Sequence, residues 1–282
     1  MKKATSALAP VCAFSTELNQ RNADVYLNRG VIRYEQGQHD AAISDFSRAI
    51  EINPRDARAW SNRGLARGKQ GAFDAAVADF NQAIKLDSRD AKAWANRCGA
   101  RYFQGELDAA LADCDRALKL DSRLAVAWNN RGLTRLGKGA LDGALADFDR
   151  AIALDPQQAT FHINRGRAWL AQGEVERALS DLNRGLTLNP TVAEAWLYRG
   201  AAWLGKLDFS RAIADFDQAL KLDPRLADAF CNRGVARLMQ GKLAEAEADF
   251  ARCRALGGTL KPEAAALVEE MKRQSKGNER KQ

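Results

Sequence analysis

One 34-residue pattern is written seven times in this chain, in units that begin at Ala23, Ala57, Ala91, Ala125, Ala159, Ala193 and Ala227 and run without a gap to Leu260. A fixed period of this length constrains the fold more than any other feature. Each unit is one supersecondary element that cannot bury its apolar face alone, so neighbouring units must stack. The array covers most of the 282 residues, which favours one elongated domain over separate globular ones. Stacked arrays present an extended concave surface. Capture of a partner is therefore expected rather than chemistry on a substrate.

The second unit shows how the pattern is built. Trp60 and Gly64 are four residues apart and share one helical face. Gly71 ends this first helix and turns the chain. Asp74 follows as a cap or first-turn acid of a second helix. Ala76, Phe80 and Ala83 recur at the spacing of a buried stripe. Ser88 then stands where other units have Pro54, Pro156, Pro190 and Pro224, each closing a second helix. Every unit is thus a helix hairpin.

This pattern resembles the tetratricopeptide repeat in all seven units: an aromatic, Gly four later, Gly at the turn, Ala-x3-Phe-x2-Ala, and Pro at the end. The resemblance implies an all-α, right-handed α-solenoid (superhelix) of stacked hairpins whose first helices line the concave side. Departures are His162 at the aromatic, Leu207 at the turn Gly, Cys114 and Leu182 at the Phe, and Gly185 at the second Ala. After Pro262, Ala264, Leu267, Val268 and Met271 form one amphipathic stripe, as expected of a C-terminal capping helix that covers the last apolar face. The expected division is an N-terminal segment 1–22 (a half-repeat or weak secretory signal), seven repeats over 23–260, a capping helix over 261–273 and a basic disordered tail over 274–282.

The seventh slot of every unit is Arg: Arg29, Arg63, Arg97, Arg131, Arg165, Arg199 and Arg233. Four residues on, Arg returns as Arg33, Arg67, Arg101, Arg135 and Arg237, with Trp169 and Trp203 in the other two units. Each second helix carries Asp before the Phe slot: Asp45, Asp79, Asp113, Asp147, Asp181, Asp215 and Asp249. Their spacing points them at the core, where a lone carboxylate is costly and a paired one tolerable. Forked Arg–Asp bonds across the helices are expected. Because acid recurs with base in every unit, this reading is preferred over an anion site.

Just before that Arg stands Asn28, Asn62, Asn96, Asn130, Asn164 or Asn232, with Tyr198 in the sixth unit. The slot lies two residues from the aromatic, a rotation of about 200°, and points away from the hairpin core. An amide donates and accepts, so a row of them could bracket an extended peptide backbone. The row is similar to the asparagine ladder in the repeat domain of the O-linked N-acetylglucosamine transferase, which grips peptide. An inter-unit hydrogen bond common to the repeats is the alternative. Apolar neighbours at groove slots are Leu27, Val31, Leu65, Leu133, Ile163 and Leu197. The Lys residues with which some relatives clamp a C-terminal carboxylate are missing, since Leu27, Ser61, Ala95 and Asn129 stand there.

The expected partner is a protein or an extended peptide, with self-association or service as a regulatory subunit as the alternative. The net charge of +7 comes mostly from Lys2, Lys3 and the tail residues Lys272, Arg273, Lys276, Arg280 and Lys281. The repeats are nearly balanced, which does not suit a nucleic-acid groove. No apolar run approaches the length of a membrane span. Cys98, Cys114 and Cys253 sit in Gly, Phe and Ala slots and read as small core residues, Cys231 lies on the groove side, and Cys12 precedes the array. An odd count without framework spacing suggests free thiols and a reducing, cytoplasmic setting, export being the alternative if the N-terminus is a signal. His39 and His162 occupy repeat slots. No grouping of catalytic type, phosphate loop or metal-ligand spacing stands outside the repeat pattern, so no enzyme activity, metal or cofactor is expected.

Overall fold

The computed structural model describes residues 22–260, 262, 265, 266, 268–270 and 273, and the regular structure among them is all α-helical. The chain divides into two compact units, one ending at Leu154 and the other beginning at Asp155. The first holds four hairpins: α1 (22–35) with α2 (His39–Ile52), α3 (Ala57–Lys69) with α4 (Phe73–Leu86), α5 (Ala91–Gln104) with α6 (Leu107–Leu120), and α7 (Ala125–Gly137) with α8 (Leu141–Leu154). The second holds three: α9 (Ala159–Gln172) with α10 (Val175–Leu188), α11 (Ala193–Gly205) with α12 (Phe209–Leu222), and α13 (Ala227–Met239) with α14 (Leu243–Ala255). Within each unit every helix packs on the next, so hairpins stack in sequence order as an α-solenoid.

Asp56 and Asp90 cap the starts of α3 and α5, accepting from the Arg58 and Lys92 backbone N–H groups at 2.9 Å each. Asp74 takes the first-turn role in α4, where Ala72 is the cap residue. In five of the seven hairpins the helices meet where a Phe side chain closes on a glycine. A Cβ on Gly64 would come within 2.8 Å of Phe80, and one on Gly200 within 2.6 Å of Phe216. Only a bare backbone admits the ring that closely.

The third hairpin solves the same contact differently, and here the free-thiol expectation is overturned. Cys98 stands in the Gly slot and Cys114 in the Phe slot, and the two form a disulfide with a Cα–Cα distance of 5.5 Å. Both are fully buried. Cys231 is not on an open groove face: it is buried and bonded to Cys253. The reducing-compartment expectation rested on unpaired thiols and loses that footing. Cys12 lies outside the described residues.

The turn between the helices of a hairpin needs a left-handed residue. Gly37, Gly71, Gly105, Gly139, Gly173 and Gly241 supply it with φ between 75° and 85°. In the sixth repeat Leu207 takes that place with φ 60°, and its side chain is 68% exposed. A left-handed conformation costs a residue with a Cβ roughly 1–2 kcal/mol, and exposure returns nothing from burial. Leu207→Gly is therefore expected to stabilise the protein by about 1 kcal/mol. Chemical denaturation measures this, and an unchanged or lower midpoint would show that the turn is not strained.

Beyond α14, the described residues 262, 265, 266, 268–270 and 273 are helical. Val268 is buried in a cluster with Leu238, Ala246 and Phe250, covering the last hairpin. Leu267, Met271 and Ala264, read from the sequence as part of the same stripe, lie outside the described residues, as do the N-terminal segment through Arg21 and the tail 274–282. No helix among the described residues is long and apolar enough to cross a membrane.

Candidate functional site

The residues best placed to meet a partner are fixed by a charge network behind them. In the second hairpin, Arg63 on α3 reaches Asp79 on α4 with Nε at 3.0 Å and Nη2 at 2.8 Å, a two-pronged bond. Arg67, one turn on, donates Nη1 to the same carboxylate at 2.8 Å. The other hairpins of the first unit repeat this arrangement at Asp45, Asp113 and Asp147, as does Asp249 in the second. Every one of these carboxylates is buried. Hydrogen bonds from Arg29 hold the Asp45 carboxyl below its ordinary range despite burial.

The remaining nitrogen of the first Arg ties hairpins together. Arg63 Nη1 donates to Ser47 Oγ at 3.1 Å, Arg97 to Asn81 at 2.7 Å, and Arg131 to Asp115 at 2.7 Å. In the second unit Arg199 meets Asn183 at 2.9 Å and Arg233 meets Asp217 at 2.6 Å. The guanidinium also lies over the aromatic three residues earlier, at 4.8 Å for Arg63 over Trp60 and 4.6 Å for Arg97 over Trp94. Each of those indoles donates to a loop carbonyl, as Trp94 does to Ser88 at 3.1 Å. His162 makes the equivalent contact, its Nε2 3.1 Å from the Pro156 carbonyl, which accounts for its place in the aromatic slot.

Trp169 and Trp203 replace the second Arg, and a different cation appears beside each. Arg177 lies 4.8 Å over Trp169 and Arg211 4.7 Å over Trp203. Other units carry Ala, Gly or Glu at that place, such as Ala75. The cation has moved from the first helix to the second, and a ring has taken its former place. A second tie links hairpins at their turns: Gln70 donates to Asp40 and Gln104 to Asp74 at 2.6 Å each, and Lys206 to Glu176 at 3.0 Å. The arginines expected to pair do so. Their donors are committed inside the stack, which leaves them little capacity for an anionic ligand.

The asparagine row stands on the first helices, directly before these arginines. Asn62, Asn96 and Asn130 in the first unit, and Asn164, Tyr198 and Asn232 in the second, are half-buried; Asn28 is exposed. Asn130 donates to the Ala95 carbonyl of the preceding repeat at 3.0 Å and accepts from Asn129 at 3.3 Å, so at this position the inter-unit bond is made. The Tyr198 ring lies under Arg167, 5.8 Å from its centroid. The carboxamides of Asn62 and Asn96 have no hydrogen-bond partner among the described residues. Of the apolar neighbours, Val31, Leu65 and Leu133 are half-buried at the face. Leu27, Ile163 and Leu197 are not: they are buried in the core clusters and support the wall rather than line it.

Beside Asn96 the face opens into a cavity of about 240 Å³ lined by Leu65, Gly68, Lys69, Phe73, Phe80, Asn96, Gly99, Ala100, Phe103 and Asn130, with Gly64 at its base. Sequence reasoning missed Gly68, Lys69, Phe73 and Phe103. The signal was there: Gly68 and Gly99 stand in slots where other units carry Tyr34 or Leu136, and Leu65 or Leu133.

Stacked hairpins of 34 residues, locked by a Gly–Phe contact and turned at a left-handed residue, define a helical-repeat protein. A family model described as TPR repeat matches residues 30–71 and 208–241, and two described as tetratricopeptide repeat match 57–90 and 129–193. The chain belongs to the tetratricopeptide repeat family. It is similar in fold to a chain of the APC/C hetero-tetramer Cut9-Hcn1, with a TM-score of 0.78 and 18% identity over 88% of this chain; it spans 49% of that chain, about half its length. It also resembles a tetratricopeptide repeat protein from Parabacteroides merdae, with a TM-score of 0.62 and 18% identity over 89% of this chain and 99% of that one. A third likeness is to YrrB, described as a TPR protein with an unusual peptide-binding site, at 25% identity and a TM-score of 0.50 over 69% of this chain and 97% of that one. No curated protein matches the chain.

Proposed function

We propose that this chain is a non-catalytic protein-binding scaffold that holds an extended partner segment along the first-helix face of its N-terminal unit. The observation that carries this reading is the pair of half-buried carboxamides, Asn62 and Asn96, without a protein partner and flanked by Leu65. These amides reach solvent with their donors and acceptors uncommitted, and a peptide backbone offers the complementary acceptor and donor. Family membership supports a protein-interaction role in general terms, and the peptide site of YrrB supports a peptide ligand in particular.

Asn130 is excluded from the grip because its amide is already engaged, so the test uses the other two. Linear peptides would be selected on the full chain from a random phage-displayed library and measured against Asn62→Ala/Asn96→Ala. Two amides lost, each worth about 0.5–1.5 kcal/mol net, should weaken the selected peptides about tenfold with the melting temperature nearly unchanged. Equal affinity in a folded double variant would sink the proposal. Light scattering on the same samples tests self-association through the ends, for which no specific observation speaks.

A further inference from the structure

We infer that the cavity beside Asn96 takes one aromatic side chain of the bound segment, with an acidic residue of that segment one or two positions away meeting Lys69. This rests on the scaffold reading and names what the scaffold selects. The cavity of about 240 Å³ falls below the roughly 300–1,000 Å³ of sites that enclose free small molecules, so it suits a single side chain carried on a chain.

The walls specify which side chain. Phe73 and Phe103 stack with centroids 4.9 Å apart and planes 9° from parallel, and Phe103 is 62% exposed. An incoming ring extends that stack and covers apolar surface that water now meets. The opening exists because two glycines stand where the repeat otherwise places large residues. A Cβ on Gly68 would have no atom within 4 Å, so the space above it is vacant. Lys69 is exposed at the rim and makes no salt bridge among the described residues, unlike Lys138 and Lys206, which pair with Asp108 and Glu176. An unneutralised cation beside an aromatic slot favours a carboxylate on the guest, and Asn96 is placed to hold the backbone between.

Gly68→Leu fills the cavity. Its Cβ meets no atom within 4 Å, and it replaces a poor helix former with a good one, so the fold is expected to be retained. Peptides selected on the wild-type chain from the random library should be enriched in Phe, Tyr or Trp with Asp or Glu within two positions. They should bind Gly68→Leu at least tenfold more weakly and Lys69→Glu at least threefold more weakly. Selected peptides that bind Gly68→Leu like wild type but are lost from Asn62→Ala/Asn96→Ala would overturn this inference and leave the scaffold standing. Peptides indifferent to all these variants would overturn both. Aromatic enrichment without acidic enrichment, or indifference to Lys69→Glu, would overturn the assignment to Lys69.

Discussion

Asp147→Ala is expected to destabilise the protein by about 3–5 kcal/mol. The carboxylate is 1% exposed and receives three charge-assisted bonds: Arg131 Nε at 3.0 Å, Arg131 Nη2 at 2.7 Å and Arg135 Nη1 at 2.7 Å. Truncation removes the carboxylate that both guanidiniums share. Arg131 keeps Asp115 and the Trp128 ring, and Arg135 keeps the Gly143 carbonyl. The cost is that of leaving Arg135 without a carboxylate and Arg131 with one fewer in a partly buried site, not the net worth of the bond. Asp147→Leu combined with Arg131→Leu and Arg135→Leu should therefore recover much of the loss. Guanidinium denaturation followed by circular dichroism compares the three proteins. A single variant as stable as wild type would show that Asp147 does not hold these cations.

Repetition of this triad gives it a second role. The third nitrogen of Arg63, Arg97, Arg131, Arg199 and Arg233 ends on the preceding hairpin, so each of these side chains joins three helices: its own, its partner and the helix before. An apolar contact is tolerant of sliding, whereas a fork bonded on both sides has one register. Buried ion pairs are weak sources of stability and better sources of specificity. Seven near-identical hairpins face that problem acutely, since each could pack on any other.

The fold and the Arg–Asp pairs were legible in the sequence because both are written once per unit. Seven copies separate the requirement at a slot from the accident of one residue. The inter-hairpin bond was hidden because its acceptor slot is chemically mixed: Ser47, Asn81, Asp115, Asn183 and Asp217 share only an oxygen. Leu27, Ile163 and Leu197 were assigned to the face, but the slot before the Asn lies about 100° around the helix and turns into the neighbouring helices. The aromatic cavity escaped notice since it is defined by side chains that are missing, at Gly68 and Gly99. Asn130 is like its neighbours by type, and its amide is spent on the Ala95 carbonyl only once the repeats are packed.

The disulfides were illegible for a different reason, which leads to the second large effect expected. Read slot by slot, Cys98 and Cys114 are two small core residues. Read as a pair, they are sixteen apart, as Gly64 and Phe80 are, and those slots touch in every hairpin. Cys231 and Cys253 repeat the lesson at slots whose counterparts Ile163 and Gly185 are also in contact, a Cβ on Gly185 falling 2.6 Å from Ile163. A matched pair can be exchanged only as a pair. Cys114→Phe alone should lose the cross-link, about 3 kcal/mol for a loop of this size. It should also drive the new ring into the Cys98 side chain, where the other hairpins tolerate no Cβ, for a further ~1–3 kcal/mol. Cys98→Gly/Cys114→Phe rebuilds the contact seen at Gly64 and Phe80 and should relieve the clash, leaving only the cross-link missing. The coupling in this double-mutant cycle is expected to be about 4–6 kcal/mol and favourable, because each single variant loses the cross-link that the double loses only once and the double also relieves the clash; it is read from denaturation midpoints of the wild type, the two single variants and the double. If the double variant is no more stable than Cys114→Phe alone, the ring has not found the bare backbone it meets at Gly64, and the equivalence of slots fails in the third hairpin first.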